Sequence, residues 1–213
     1  MADPVSTAAE VVVLDDALTI LVRPIRPDDK RHIAEAFERL SPETRYRRFF
    51  APMDRLTTMD LAYLTEVDHH GHEALAAINP ENGRIIGVAR YVRAKDPGEA
   101  EVAVVVGDPW QGKGVGSALL ERLVERARAE GIDHFVALAL SDNEEAVEMF
   151  RHLAPGRSKL RRSASGHLEM LIELPEPGRL RESRLGRLLR AAARGTIGIN
   201  PWRVLRQTIR RYR

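Results

Sequence analysis

The chain has 213 residues, 44% of them hydrophobic, which suits one α/β domain of ordinary size with a buried core, plus appendages. It contains no cysteine, which excludes disulfides, thiolate metal sites and a cysteine acyl-enzyme intermediate. It also has no basic leader and no apolar run near ~20 residues, so we expect a cytoplasmic protein. The net charge of +2 is unevenly distributed, because eleven arginines and two glutamates give residues 175–213 a charge of +9 and leave −7 for residues 1–174.

The first predicted elements are one strand and three helices. Residues 18–26 form a strand, and Pro27 opens a helix in which four apolar side chains recur at helical spacing: Ile33, Ala36, Phe37 and Leu40. Ser41 and Pro42 are a cap residue and a first-turn proline, which predict a second helix. Residues 54–67 predict a third. Together the three helices are expected to form a wall on the substrate side of the domain.

The remaining elements are mainly strands. Residues 74–78 and 84–93 predict a hairpin around the turn at 79–83. Further along the chain the pattern predicts a strand at 99–106, a helix at 114–130, a strand at 135–140, a helix at 142–153 and short strands at 159–162 and 168–173. The order predicts an α/β (α+β) fold with a mixed central sheet flanked by helices.

The most informative segment is the strand, glycine-rich turn and helix of VVVGDPWQGKGVGSALL at 104–120. Free backbone N–H groups and the helix dipole favour a pyrophosphate at such a junction. The dinucleotide fingerprint fails because Ser117 replaces its last glycine, and the phosphate-loop signature fails because Lys113 is followed by Gly114. We therefore expect another phosphorylated cofactor; the alternative is that the small residues only let the helix pack closely on the sheet.

The pattern Gln111-x-x-Gly114-x-Gly116 resembles the GNAT superfamily of acyl-CoA N-acetyltransferases. Within it, LSPETRYRRFF at 40–50 and EAEVAVVVGDPWQGKGVG at 99–116 resemble the acetyltransferase domain of bacterial Pat-type protein lysine acetyltransferases. The resemblance implies the GNAT acyltransferase fold and a division into an N-terminal arm at 1–17, an acetyltransferase domain at 18–174 and an arginine-rich tail at 175–213.

The resemblance also implies acetyl-CoA as co-substrate and a set of cofactor-binding residues. The backbone of Val104, Val105 and Val106 would bind the pantetheine arm, and N–H donors there would stabilise the oxyanion. The pyrophosphate would be surrounded by Gln111, Gly112, Lys113, Gly114, Val115, Gly116 and Ser117. Asn143 would bind the cofactor arm, although helix capping is its alternative role. Phe150 stands where many relatives carry a tyrosine acid, so a phenol cannot protonate the thiolate here.

The acceptor amine needs a base, since a lysine with a pKa of about 10.4 is roughly one part in a thousand free amine at neutral pH. Glu101 matches the Pat-type carboxylate, Glu99 points the same way as a fallback, and a solvated strand end is the alternative for Glu101. The expected function is acetyl transfer to an amine, with a protein lysine as the expected acceptor. The alternatives are a small-molecule amine acetyltransferase and a non-catalytic CoA-sensing or scaffold module.

Two further segments, the histidine-rich loop at 68–73 and the basic tail, carry candidate functional residues. The loop DHHGHE at 68–73 clusters metal-ligand types, but so short a loop offers no organised cage, and no metal is predicted. His72 within it is a candidate for an acid–base role at the acceptor site. The tail predicts two amphipathic basic helices, which would dock on the acidic body of the same chain or of a second copy in a homo-oligomer, or would bind an anionic membrane surface or RNA.

Overall fold

The computed structural model describes residues 9–14, 18–49, 53–140, 160–162 and 167–175. The strands in these ranges are β1 (Glu10–Val13), β2 (Thr19–Pro24), β3 (His72–Ile78), β4 (Ile85–Arg93), β5 (Glu99–Val106), β6 (His134–Leu140), β7 (Leu160–Arg162) and β8 (His167–Glu173). The helices are α1 (Lys30–Glu38), α2 (Pro42–Phe49), α3 (Thr58–Thr65) and α4 (Val115–Ala129). Within the described ranges, the strands form one eight-stranded sheet in the order β1-β2-β3-β4-β5-β6-β8-β7.

The sheet is mixed, as predicted. Strands β5 and β6 pair in parallel, and the other neighbouring strands of the described sheet pair antiparallel. The parallel pair is possible because the glycine turn and α4 carry the chain from the end of β5 back to the start of β6. The prediction of a mixed sheet flanked by helices is confirmed.

The sheet is buried on both faces at its centre, so β4 reads as a nearly continuous apolar run. Helix α4 packs on one face and contributes Leu119, Leu120 and Leu123 to the larger core. The smaller core lies on the other face and includes Ile33 of α1 and Leu64 of α3. The central strands are therefore held between α4 and the wall of helices that precedes β3.

Local signals account for where the first helices begin. The backbone N–H of Arg26 donates to Asp29 Oδ2 at 2.8 Å, which closes the single 3-10 turn before α1. Thr57 Oγ1 accepts from the backbone N–H of Asp60, whose carboxylate accepts from the N–H of Thr57 in turn. This capping box starts α3 at Thr58, later than the predicted residue 54.

Strand β1 was not predicted from the sequence, which indicated only an N-terminal arm. It pairs antiparallel with β2, and Glu10 accepts from Arg122 Nε of α4 at 2.6 Å. Val11 and Val13 are 63% and 66% exposed, so the strand lacks the buried apolar face that identifies a strand in a sequence. Long-range pairing, rather than local pattern, places this segment in the sheet.

Several predictions lie outside the described residues. They include the helix at 142–153 with Asn143 and Phe150, and the helices of the basic tail. The division of the chain at 17/18 and 174/175 stays a prediction. In the ranges that the structure describes, no helix is both long enough and apolar enough to cross a bilayer.

Candidate active site

The central feature of the site is a split between β5 and β6. Strand β5 pairs with β4 at seven positions, but with β6 only at three: Glu99 with His134, Ala100 with Phe135 and Glu101 with Val136. Beyond Glu101 the described parts of the two parallel strands do not pair with each other. The split opens at the carboxyl ends of these strands, where open α/β sheets bind their ligands.

Hydrogen-bond alternation fixes which backbone groups face the split. The N–H of Gly107 donates to Ile86 O at 2.9 Å, and the N–H of Ala94 donates to Glu99 O at 2.8 Å. In an antiparallel pair the bonded residues alternate, so the odd-numbered residues from 99 to 107 bond β4. The N–H and C=O of Val104 consequently point away from β4, into the split. An extended ligand there could pair with β5 as an added strand.

The predicted pyrophosphate residues form one continuous turn after β5. Gln111, Gly112, Lys113 and Gly114 lie in the loop, and Val115, Gly116 and Ser117 form the first turn of α4. Gly112 and Gly114 have φ of +75° and +84°, which side-chain-bearing residues rarely adopt. In the part of the chain that the structure describes, no side chain caps the start of α4, so its first N–H groups are available to an anion.

The turn is braced against α2 by two polar side chains. Asp108 accepts from the backbone N–H and Oγ of Ser41 at 3.0 and 2.8 Å and from Thr44 Oγ1 at 2.8 Å. Burial alone would raise the pKa of Asp108, but the hydrogen bonds from Ser41 and Thr44 outweigh it and hold that pKa below its ordinary value. The side-chain amide of Gln111 donates to Val106 O at 3.1 Å and to Thr44 Oγ1 at 3.4 Å. Both the side-chain amide of Gln111 and its backbone N–H, which donates to Asp108 O at 3.3 Å, are thus engaged within the protein.

Glu101 stands at the vertex of the split. It is the last residue of β5 that pairs with β6, and it lies opposite Val92 of β4 on its other side. Its side chain is half-buried, with Oε2 shielded from solvent. Glu99 lies two residues earlier and faces the same side of the sheet, as strand alternation predicts.

A cavity of about 320 Å³ lies between the sheet and α1–α3. Most of its wall is apolar and includes Ile33, Phe37, Phe49, Leu64, Val88 and Val105. Arg90 of β4 also lines it. Because Arg90 pairs with Ala103 and Val92 pairs with Glu101, the cavity lies on the sheet face that carries Glu101. The predicted wall of helices thus borders a cavity on the same sheet face as Glu101.

The sequence did not point to Arg90 as a site residue; it pointed to His72 as a candidate acid–base group. Arg90 Nη1 lies 3.1 Å from His72 Nε2, and because a guanidinium only donates, Nε2 accepts and the ring proton is on Nδ1. Burial, assisted by the charge of Arg90, lowers the pKa of His72 to about 3. The imidazole is therefore neutral with an engaged lone pair, which does not support an acid–base role. The available signal was an arginine in the middle of the apolar run IIGVARYV at 85–92.

The rest of the 68–73 loop is held by its own hydrogen bonds. Asp68 Oδ1 accepts from the N–H groups of His70 and His72 at 2.9 and 2.8 Å, and His69 Nδ1 lies 2.8 Å from Glu73 Oε1. The side chains thus engage separate partners. Among the described residues no group of three or more His, Cys, Asp or Glu side chains is arranged to hold a metal ion.

Comparison with known proteins agrees with this geometry. The profile of the Acetyltransferase (GNAT) family matches residues 33–154, which is more than half of the chain. The chain belongs to that family, and the family predicted from the glycine turn is confirmed. The crystal structure of the GNAT domain of S. lividans PAT is 36% identical in sequence to this chain and superposes on it with a TM-score of 0.67. The match covers 78% of this chain and 97% of the S. lividans domain.

Two curated relatives are also similar. Acetyltransferase PA5475 of Pseudomonas aeruginosa is 32% identical over 120 residues, which are 55% of this chain and 64% of the relative. Acetyltransferase Pat of Mycolicibacterium smegmatis is 37% identical over 123 residues, which are 57% of this chain and 37% of the relative. The similarity therefore spans less than two thirds of either relative.

Proposed function

We propose that this chain transfers an acetyl group from acetyl-CoA to an amine, by direct attack of the amine on the thioester. The observation that carries the proposal is the split between β5 and β6 beside the glycine turn. The split offers backbone hydrogen bonds to an extended arm, and the start of α4 offers N–H groups to a diphosphate. CoA combines both features in one molecule.

In this proposal the cofactor lies along β5 and ends at α4. Of the three predicted valines, Val104 and the N–H of Val106 pair with the pantetheine arm, whereas the backbone of Val105 bonds β4 and Val106 O already accepts from Gln111. Residues 111–117 surround the pyrophosphate. The backbone direction of Val104 and the left-handed conformation of Gly112 and Gly114 support these roles. Asn143, as a ligand of the arm, and Phe150, as the residue in place of a tyrosine acid, stay predictions because they lie outside the described residues.

The chemistry proposed for Glu101 is removal of the amine proton. The nitrogen attacks the carbonyl carbon, the electron pair moves to the carbonyl oxygen, and a β5 backbone N–H stabilises that oxyanion. Collapse breaks the C–S bond and releases CoA thiolate, and the second proton of the now cationic nitrogen passes through water to that thiolate, which leaves the neutral amide and CoA thiol. Glu101 takes the ammonium proton through a water molecule, offsetting a deprotonation penalty on the order of 4 kcal/mol at neutral pH.

The proposed acceptor is a protein lysine. Its support is the similarity to Acetyltransferase Pat and to the GNAT domain of S. lividans PAT. A second candidate is a small-molecule amine, favoured by the cavity of about 320 Å³, a volume typical of small-ligand pockets.

The deciding experiment combines the purified chain with labelled acetyl-CoA and either candidate proteins or a panel of amines. Label on protein lysines supports the first acceptor; saturation by a metabolite with no labelled protein supports the second. Calorimetric CoA binding without turnover would indicate a CoA-sensing or scaffold module. Absence of any heat with CoA would overturn the proposed function altogether.

A further inference from the structure

The cavity between the sheet and α1–α3 has an uneven distribution of charge. Among the described residues that line it, the charged side chains are Arg39, Arg84 and Arg90, and there is no aspartate or glutamate. Arg39 and Arg84 are exposed, whereas Arg90 is 1% exposed. The cavity is therefore an apolar space with a positive potential, which attracts anions and repels cations.

Arg90 is incompletely satisfied by the protein around it. Nη2 donates to Leu64 O at 2.9 Å and Nη1 donates to His72 Nε2 at 3.1 Å, and both acceptors are uncharged. Nε is buried and has no hydrogen-bond partner in the part of the chain that the structure describes. Burial lowers the pKa of Arg90 to about 10, so the group is still cationic at neutral pH. None of the described carboxylates forms a salt bridge with Arg90. A buried cation in that position is unfavourable, and a bound carboxylate would relieve the cost.

We propose that this cavity binds a small organic acid, with the apolar stem packed against Ile33, Val88 and Val105 and the carboxylate paired with Arg90. The carboxylate belongs either to the acceptor amine or to the far end of the acyl group on CoA. Both sources rest on the proposed function, whereas binding of the acid itself does not. An ammonium without a carboxylate is disfavoured in the same space.

The position of Arg90 relative to Glu101 connects this site to the reaction. Arg90 pairs with Ala103 and Glu101 pairs with Val92, so Arg90 and Glu101 are diagonal neighbours on one sheet face. Diagonal neighbours have Cβ atoms about 7–8 Å apart or less. A ligand that binds its carboxylate at Arg90 thus extends within reach of the proposed base.

The first test is binding of hexanoate, 1-hexanol and hexylammonium to the full chain, measured by calorimetry. We expect hexanoate to bind at least about tenfold more tightly than hexanol, because a charge-assisted hydrogen bond replaces a neutral one. Ala36→Phe, which fills the cavity from α1, should abolish hexanoate binding without touching Arg90. Arg31→Gln removes one positive charge from the outer surface of α1 and should leave hexanoate binding unchanged.

Arg90→Lys keeps the charge but loses the planar fork, and should weaken hexanoate binding several-fold. A CoA titration of each variant checks that the fold and the cofactor loop are intact. Equal affinity for hexanoate and hexanol, or unchanged hexanoate binding in Ala36→Phe, would overturn the proposal, even if Arg90→Lys failed to fold.

The second test identifies the source of the carboxylate. With one amine held fixed, acetyl-CoA is compared with succinyl-CoA; with acetyl-CoA held fixed, pentylamine is compared with norleucine. A higher kcat/KM for succinyl-CoA assigns the carboxylate to the acyl group, and a higher kcat/KM for norleucine assigns it to the acceptor. Equal values in both comparisons would show that the site takes no part in the reaction and would overturn both proposed sources of the carboxylate. Hexanoate binding without any transfer would instead leave the site in place and overturn the proposed function.

Discussion

Glu101 faces Val136 at the last paired position between β5 and β6. Past this position the strands separate, so the carboxylate lies where a ligand inserted along β5 must end. Its neighbours on the same sheet face include Val92 and, diagonally, Arg90. The carboxylate that we propose as the base therefore lies beside an inserted thioester, on the sheet face that also carries the cavity under α1–α3.

Replacing Glu101 with glutamine should lower turnover on an amine at least about tenfold and should flatten the rise of the rate with pH. Affinity for CoA should be nearly unchanged, because the proposed cofactor contacts are backbone groups further along β5. Steady-state rates from pH 6 to 9, with CoA titrations, measure both effects. Glu99→Gln is the matched control; if it alone changed the pH dependence, the base would be Glu99.

Gly114→Ala should weaken CoA binding. Gly114 has φ of +84° at the start of α4, where a left-handed alanine costs about 1–2 kcal/mol, although its Cβ would lie no closer than 3.8 Å to Leu14. The turn would relax away from the geometry that aims its N–H groups. Gly83→Ala tests strain alone, because Gly83 has φ of +67° with open space around it and lies in the β3–β4 turn.

Both glycine variants should lose a similar amount of stability in denaturant titrations, but calorimetry should show reduced CoA affinity only for Gly114→Ala. Equal CoA affinity in the two variants would contradict the assignment of the glycine turn to the cofactor site.

The parts of the site that are local in the chain could be predicted from the sequence. The β5 strand, the glycine turn and α4 follow one another within residues 99–129, and each carries its own signal in the sequence: an apolar run, the spacing of the glycines and apolar residues at helical spacing. The base candidate followed from the same segment by resemblance. The fold was predictable for the same reason, since most strands and helices had clear boundaries.

The parts that depend on distant contacts could not be predicted. Asp108 contacts Ser41 across 67 residues, and Arg90 contacts Leu64 across 26. A sequence shows that such groups are polar, but it does not show which residues they contact in the folded chain. The split itself is of this kind, because it depends on where pairing between β5 and β6 stops.

Asp108→Asn should destabilise the protein and loosen the contact between α2 and the glycine turn. An asparagine keeps one acceptor oxygen, but its NH₂ group would face a donor of Ser41 or Thr44, and an unsatisfied donor costs about 1–3 kcal/mol. For a domain of this size we expect a fall in Tm of roughly 2–10 °C at pH 7. Asp28→Asn, at an exposed position, is the control and should leave Tm nearly unchanged.

The acid dependence of this variant has a defined sign. The folded-state pKa of Asp108 is below its ordinary value of 3.8, so its ionised form stabilises the fold above that pH, and the contribution is lost as the pH falls through the lowered value. The difference in Tm between wild type and Asp108→Asn should therefore shrink in melts below about pH 4. A constant difference from pH 7 to pH 2.5 would contradict the role given to the carboxylate.

His72 should resist protonation and make the protein sensitive to mild acid. Burial and the neighbouring Arg90 lower its pKa from 6.5 to about 3, so between these values the unfolded chain binds a proton that the folded chain does not. Stability from this group is complete above about pH 6.5 and declines towards pH 3, with a slope of at most on the order of 1.4 kcal/mol per pH unit. His72→Gln removes the group, so urea titrations at pH 7.5, 6 and 5 should show a smaller loss than wild type. An NMR titration in which the His72 ring shifts with a midpoint near 6.5 would show that Arg90 does not hold it neutral.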